Sequence, residues 1–414
     1  DEQVEYINRF MTLNKRSIIY VFSIAVLIVV FAGIHIMIRN FPLVWDEVYH
    51  TRQLTKFLHG IFTLDSGLGM LPGYHVLLTV VLFLTGLRDV ESFRLINFLF
   101  SFILIGVVYK LNNHLSLYRR MIATGQFAFF PLFFMFHFLV YSDMMSLLSI
   151  CIVYLLLSKG HRMVSGAFAV LSVFIRQTNV VWIGFFFLLD YIDRFGLTIS
   201  MKSIIRHCRD DLLYVLCFFL FMVFVFVNHG VSLAGKDMQP IGVVSLGNIL
   251  FLFFLLFFIL LPLHIYNFRI IAGMGKKILL VAGIMLGYVV IGMITFSNTH
   301  PWNQYPIFIR NVILTGVAGQ STAKFVYFLL GSITLGSLCV TRLNSKHTKL
   351  FSIVAFLSLI PYWLVEPRYA FVPLGLFLIW RVQQNLRIER ILLIWFIMLS
   401  LLSMWGLFQY TLYL

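Results

Sequence analysis

Charge is scarce in this 414-residue chain: Asp, Glu, Lys and Arg together make up 11% of it, while 61% is apolar. Soluble domains carry roughly a quarter charged residues, so this chain lacks the material for a water-facing shell. Cysteine is also sparse. Of Cys151, Cys208, Cys217 and Cys339, three lie within apolar blocks and none shows metal-ligand spacing. That leaves no disulfide framework and no zinc motif to read. No Asn-x-Ser/Thr sequon occurs, so glycosylation cannot report sidedness. Internal repeats, low-complexity tracts and the basic–aromatic interleaving of a nucleic-acid groove are absent from the sequence. The net charge of +15 is therefore read as loop charge on the cytosolic face of a membrane, not as a nucleic-acid footprint.

What the chain does have is long apolar blocks, such as 18–38, 242–266 and 391–413. Each can cross a hydrocarbon core of ~30 Å as a helix. Backbone groups in lipid are satisfied only by helices or closed barrels, and continuous apolar runs without period-2 alternation select helices. Block 18–38 is read as a retained first span, because Arg39-Asn40-Phe41-Pro42 lacks the small-residue pattern of a cleavage site. The expected fold is all-α: a polytopic transmembrane helical bundle with about 13–14 membrane segments. It is expected to form a single membrane-embedded domain over 1–414.

Basic loops fall at 110–120, 159–162, 194–209, 269–277, 342–349 and 381–390, and Asn14-Lys15-Arg16 precedes the first span. Placing them in the cytosol puts 39–71, the Ser142-Asp143 corner, 176–179, 228–241, 297–320 and 365–368 together on the luminal side. Alternation then requires one early segment not to cross. Segment 72–87, short and opening with Pro-Gly, is the candidate. At this point its course, and with it the side of the C-terminus, stays open.

The luminal set holds the residues with chemical potential. Loop 39–71 carries Val44-Trp45-Asp46-Glu47-Val48-Tyr49-His50. His50, four residues past Asp46, shares one face of a short helix with it. Asp46 and Glu47 are thus candidates for a general base and a neighbour that orients it; an ordinary solvated acidic loop is the alternative. In Arg176-Gln177-Thr178-Asn179, four polar residues interrupt two short apolar halves. An arginine near a helix centre in lipid costs ~2.5–3.5 kcal/mol, and its planar fork fits phosphate oxygens. Gln177 and Asn179 add sugar-type donors and acceptors. The alternative is a hairpin with Arg176 reaching to the interface. Glu366-Pro367-Arg368-Tyr369 places a carboxylate, a guanidinium and a phenol where two apolar segments meet, which suits a phosphate or sugar, or an interfacial ion pair. Asp143, Asp237 and His300 read singly as cap or loop residues and gain weight from their shared side.

Taken in order, Trp-Asp-Glu-x-x-His, Leu71-Pro72-Gly73-Tyr74, Tyr141-Ser142-Asp143, Arg-Gln-Thr-Asn-Val-Val-Trp and Val-Glu-Pro-Arg-Tyr resemble the dolichyl-phosphate-glucose α-1,2-glucosyltransferase family of the GT-C superfamily. This family adds the last glucose to the lipid-linked N-glycan precursor. The resemblance spans roughly 45–381. Two luminal stretches depart from it: the polar tract after His300-Pro301 and the loop after Asp237 are both reduced.

The resemblance implies a multi-pass endoplasmic reticulum enzyme with a luminal active site and dolichol-linked donor and acceptor. It implies Asp46 as base toward the acceptor's 2-hydroxyl, with Glu47 positioning, and attack at C1 with inversion. Arg176 and Arg368 would hold the phosphate. His50, Asp143, Gln177, Asn179, Asp237, His300, Glu366 and Tyr369 would bind substrate. One Asp-Glu pair without a further acidic cluster leans against an obligatory divalent metal, and no other cofactor is expected. The competing readings are a GT-C transferase of another linkage, or a non-catalytic transporter or channel-associated membrane protein.

Overall fold

A computed structural model describes residues 24–240, 242–344 and 348–409. The Asn14-Lys15-Arg16 cluster and the outer ends of blocks 18–38 and 391–413 lie outside the described residues. Among the described residues the ordered structure is helical, apart from one isolated antiparallel bridge between Leu343 and Arg381. The chain is thus a polytopic helical membrane protein, as its apolar blocks require.

Four helices are each long and apolar enough to cross a bilayer: Val90–Leu111, Gly275–Thr295, Ser321–Val340 and Leu386–Phe408. Three more apolar stretches are bent pairs: Pro131–His137 with Ser142–Ser158, Met201–Asp210 with Leu212–Asn228, and Gly247–Ile259 with Leu261–Ala272. Shorter apolar helices, including Ile24–Ile38, Gly73–Thr85 and Arg162–Ile175, complete the bundle. The breaks have local causes. Pro131 opens its helix at the first turn, where its missing N–H costs nothing. The Asp89 carboxylate accepts from Ser92 N at 2.7 Å and starts Val90–Leu111.

Apolar side chains, phenylalanine prominent among them, make up the core of the bundle. Phe31, Phe127, Phe133, Phe134 and Phe138 are wholly buried there. At one end the loops predicted to be luminal are stitched together. Gln177 accepts from Leu71 N and donates to the carbonyls of Gly69 and Val231. His300 binds the Met238 carbonyl, and the Asn303 side-chain amide donates to the Val365 carbonyl and accepts from Val365 N. At the other end the basic loops meet. Arg381 pairs with buried Glu389 at 2.6 Å and with Gln126, and Arg119 donates to the Gln384 carbonyl. The charge rule therefore sorts the loops into two groups that the structure also keeps apart.

Segment 72–87 does not cross. Its helix, Gly73–Thr85, is 13 residues, or ~20 Å long. It starts beside the 176–179 break, where Gly73 packs against the Phe174 backbone so closely that a Cβ would collide. Only Gly86–Asp89 separates it from Val90–Leu111. The first turns of that next helix sit at the same end: Arg94 reaches the carbonyls of Ile38 and Phe41, each at 2.6 Å. Four linking residues cannot return a chain across a bilayer. Gly73–Thr85 therefore lies against the site end of the bundle and packs on Glu47–Leu58. The last helix, Leu386–Phe408, ends with Phe408 against Phe41, rings 5.4 Å apart, so it too terminates at the site end.

Candidate active site

The helix Glu47–Leu58 begins inside the site because of an unusual turn before it. Trp45 adopts a left-handed backbone conformation (φ 49°), costly for a bulky side chain by ~1–3 kcal/mol. Neighbours hold it there. The Tyr141 hydroxyl donates to Val44 O at 2.9 Å, and Val44 N donates to the Glu47 carboxylate at 3.0 Å. The turn sends the two adjacent acids in opposite directions. Asp46 keeps nearly half of its side chain exposed, 46%. It lines a cavity of about 590 Å³ walled also by Tyr49, Tyr141, Trp302, Tyr305, Phe308, Arg310, Glu366 and Arg368. Glu47 points inward and is fully buried.

Glu47 is occupied as a scaffold. Its carboxylate takes two bonds from Arg94, at 2.6 and 2.8 Å, and accepts the amides Val44 N and Val140 N. Arg94 in turn donates to backbone carbonyls from Ile38 to Pro42. The carboxylate's acceptor sites and the guanidinium's donors are all engaged, the condition under which a buried ion pair is tolerated. Glu47, grouped with Asp46 as a catalytic pair and expected to position it, is thus placed in the wall beside Asp46, with no face of its carboxylate open to a substrate.

Asp46 sits in a chain of alternating charges. Arg368 donates to it at 2.8 Å, contacts Glu366 at 3.2 Å, and approaches Asp143 at 3.9 Å. Glu366 is also paired with Arg310, and Asp143 with Arg176. Three carboxylates thus face three guanidiniums. Burial alone would raise the Glu366 carboxyl, but Arg310 and Arg368 hold it below the usual range. The Arg368 guanidinium also lies over the Tyr141 ring at 5.3 Å, and Arg310 over Phe308 at 4.4 Å.

The structure distributes the other predicted residues more narrowly. Among them Asp46, Glu366 and Arg368 line the main cavity. Asp143, Arg176, Asn179 and Tyr369 line a chamber behind it of about 20 Å³, the size of a water, with Tyr369 stacked on Tyr362 at 3.9 Å. Asn179 is otherwise engaged with Ser146 and Ser172. Gln177, as described, ties loops together. His300 is buried, with its ring against Trp363. Asp237 is exposed on a short turn away from the cavity. His50 is buried 2.9 Å from His75 and stacked on it, so it does not reach the cavity.

Burial, then the positive charges of Arg368 and Arg176, depresses His50 to about 3. Neutral His50 in the fold must compete with a protonated unfolded form below pH ~6.5. The contribution is absent above that pH, and stability is lost as pH falls from ~6.5 toward 3, by up to ~1.4 kcal/mol per pH unit. The expected result is a melting temperature that drops on acidification below pH 6.5. His50→Gln should show a shallower drop; equal slopes would show that His50 does not contribute.

The comparisons bear on this geometry. A protein of Candida albicans named Dol-P-Glc:Glc(2)Man(9)GlcNAc(2)-PP-Dol alpha-1,2-glucosyltransferase is 26% identical, over 60% of this chain and 59% of its own. Proteins of the same name from Mus musculus (27%, 34% of each chain) and Arabidopsis thaliana (32%, covering 34% of this chain and 31% of that one) are also similar. Residues 42–202 match the DIE2/ALG10 family. The resemblance read from the motifs is thereby shown. No solved structure matches. The chain spans about 59% of the length of the Candida albicans relative.

The stretch matching the DIE2/ALG10 family holds Asp46, Glu47, Asp143 and Arg176, but ends well before Arg310, Glu366 and Arg368. The fold is what joins the two sets. Arg310 and Arg94 escaped the reading of the sequence. Arg310 had a signal: it is a basic residue opening an apolar helix in a loop assigned to the lumen, against the charge rule. Arg94 had a similar one, standing in the first turns of Val90–Leu111 as a charge within an apolar run. The aromatic residues Trp302, Tyr305 and Phe308 could not be told from an interfacial belt.

Proposed function

We propose that this chain transfers glucose from dolichyl-phosphate-glucose to the terminal glucose of the diglucosylated dolichol-diphosphate oligosaccharide, forming an α-1,2 linkage at the luminal face of the endoplasmic reticulum. The observation that carries the reading is Asp46. It is a half-exposed carboxylate on the wall of a cavity that also presents Arg368 and Arg310. The names of the relatives and the DIE2/ALG10 match supply the substrate class.

In this reading Asp46 accepts the proton of the acceptor's 2-hydroxyl. That oxygen forms a bond to C1 of the donor glucose, the C1–O bond to phosphate breaks, and the configuration inverts. The dolichyl phosphate leaves with the bonding pair and needs no protonation. Arg368 and Arg310 stabilise its growing charge. Arg368 donates to Asp46; a phosphate drawing that guanidinium away frees the carboxylate to take a proton. Trp302, Tyr305 and Phe308 offer flat apolar faces to sugar rings.

Each site carboxylate already faces a guanidinium, so charge is balanced without a cation, and we propose that no divalent ion is obligatory. Chelation with EDTA is expected to leave transfer within about two-fold of the untreated enzyme; loss restored by Mg²⁺ or Mn²⁺ would contradict this. The assignment itself is tested in cells lacking the last glucosyltransferase by sizing their lipid-linked oligosaccharides. Restoration of the triglucosylated species is expected. A well-expressed protein that leaves the diglucosylated species unchanged would overturn the acceptor assignment.

A further inference from the structure

The end of the bundle opposite the site carries a helix that none of this explains. Met201–Asp210 is a 10-residue helix closed at its start by a reciprocal Ser200–Ser203 capping box. It is set at 88° to the apolar helix Leu212–Asn228 that follows it. If Leu212–Asn228 runs along the membrane normal, Met201–Asp210 lies in the membrane plane.

At about 100° per residue its side chains divide into three arcs. Ser203, His207 and Asp210 face the protein. His207 is buried and bonded to the Phe187 carbonyl at 3.0 Å, the Ser203 hydroxyl meets Tyr191 at 2.8 Å, and Asp210 pairs with Arg194. Met201, Ile204 and Ile205 form a second arc and are exposed, Met201 by 72% and Ile205 by 60%. Leu197 and Ile199, just before the helix, extend this apolar edge at 84% and 80% exposure. The third arc is basic: Lys202, Arg206 and Arg209, all exposed. Arg206 and Arg209 reach Asp210 only at 3.9 and 3.6 Å, and their side chains stay 65% and 77% exposed.

A soluble protein partner would not require this order of faces. A bilayer surface does: an in-plane helix sinks its apolar arc to the acyl boundary and keeps its flanking basic arc at headgroup level. We propose that residues 197–210, the helix Met201–Asp210 with its apolar lead-in, form a membrane-surface element that binds the anionic phospholipid headgroups of the leaflet opposite the active site. The apolar arc sets its depth, and Lys202, Arg206 and Arg209 select negative headgroups. His207 and Asp210 clamp it to the helix Val180–Phe195, whose other end meets the 176–179 break. This inference does not depend on the transfer reaction proposed above.

The test uses the whole protein in nanodiscs of equal phosphatidylserine and phosphatidylcholine. A photoreactive benzoylphenylalanine replaces Ile205 in one sample and Lys202 in another. Crosslinking of position 205 to lipid chains, and not of position 202, is expected. In a second measurement the protein is washed in mild detergent and its retained lipids are weighed by mass spectrometry. Wild type should retain phosphatidylserine over phosphatidylcholine, and the K202Q/R206Q/R209Q variant should lose roughly three-fold or more of that preference. Elution of the variant at the wild-type volume in size exclusion establishes that it is folded. Crosslinks from position 205 to a second copy or to another protein, or an unchanged lipid ratio in the folded variant, would overturn the proposal.

Discussion

Asp46→Ala is expected to abolish glucose transfer while leaving the protein in the membrane at normal abundance. The two halves of that expectation have separate origins. General-base catalysis contributes about 10²–10⁴-fold, and among the predicted acids Asp46 alone is both on the cavity wall and substantially exposed. Its removal costs little stability, because Asp46 is half open to solvent and Arg368 keeps Glu366 and Asp143 as partners. Asp46→Asn is the sharper variant. It keeps the size of the side chain and a hydrogen bond to Arg368, but cannot take up a proton. Initial rates with dolichyl-phosphate-glucose and a purified diglucosylated acceptor decide the matter. A loss of 10²-fold or more in both variants supports Asp46 as the base. If Asp46→Asn retains more than about a tenth of the wild-type rate, another group removes the proton.

Glu47→Ala is expected to fail in the opposite way, by loss of the folded protein. It would strand the Arg94 guanidinium, which is fully buried, and two backbone amides. Breaking a buried pair by removing one partner costs ~3–5 kcal/mol, against a total stability of ~5–15 kcal/mol for a typical domain. Arg94→Ala should do the same from the other side, leaving a buried carboxylate. Thermal melting in detergent would show a markedly lower transition for both, while Asp46→Ala stays near wild type. A folded, thermally normal but inactive Glu47→Ala would instead assign Glu47 a direct catalytic role. Adjacent acids in the sequence are thus assigned different work by one left-handed residue, Trp45.

Much of the architecture is legible in the amino-acid sequence. Hydropathy and the scarcity of charge require helices in lipid, because backbone groups have no other partners there. The distribution of Lys and Arg sorted the loops into two sets, and the hydrogen bonds of Gln177, Asn303 and Arg381 join loops within a set. The motifs containing Asp46, Glu366 and Arg368 stood out as charges beside apolar segments, and the three do meet at one cavity. Their neighbours were less legible. Polar side chains such as Gln177, Asn179, His50 and His300 look alike in a sequence whether they face a substrate or satisfy a backbone carbonyl. Loop stitching proved to be the occupation of Gln177 and His300.

The sequence by itself determined that this protein is a helical membrane bundle with its chemically equipped loops at one end, since composition and charge asymmetry act through the solvent and need no knowledge of packing. Tertiary structure decided the rest. It turned Glu47 into the wall and left Asp46 in the cavity. It brought Arg310 to Glu366 across a 56-residue separation, to share that carboxylate with Arg368 two residues further on. It also laid Gly73–Thr85 along the site end instead of across the bilayer. These outcomes depend on which buried charge finds which partner, and in a low-dielectric interior that pairing is set by three-dimensional proximity, which no local pattern encodes.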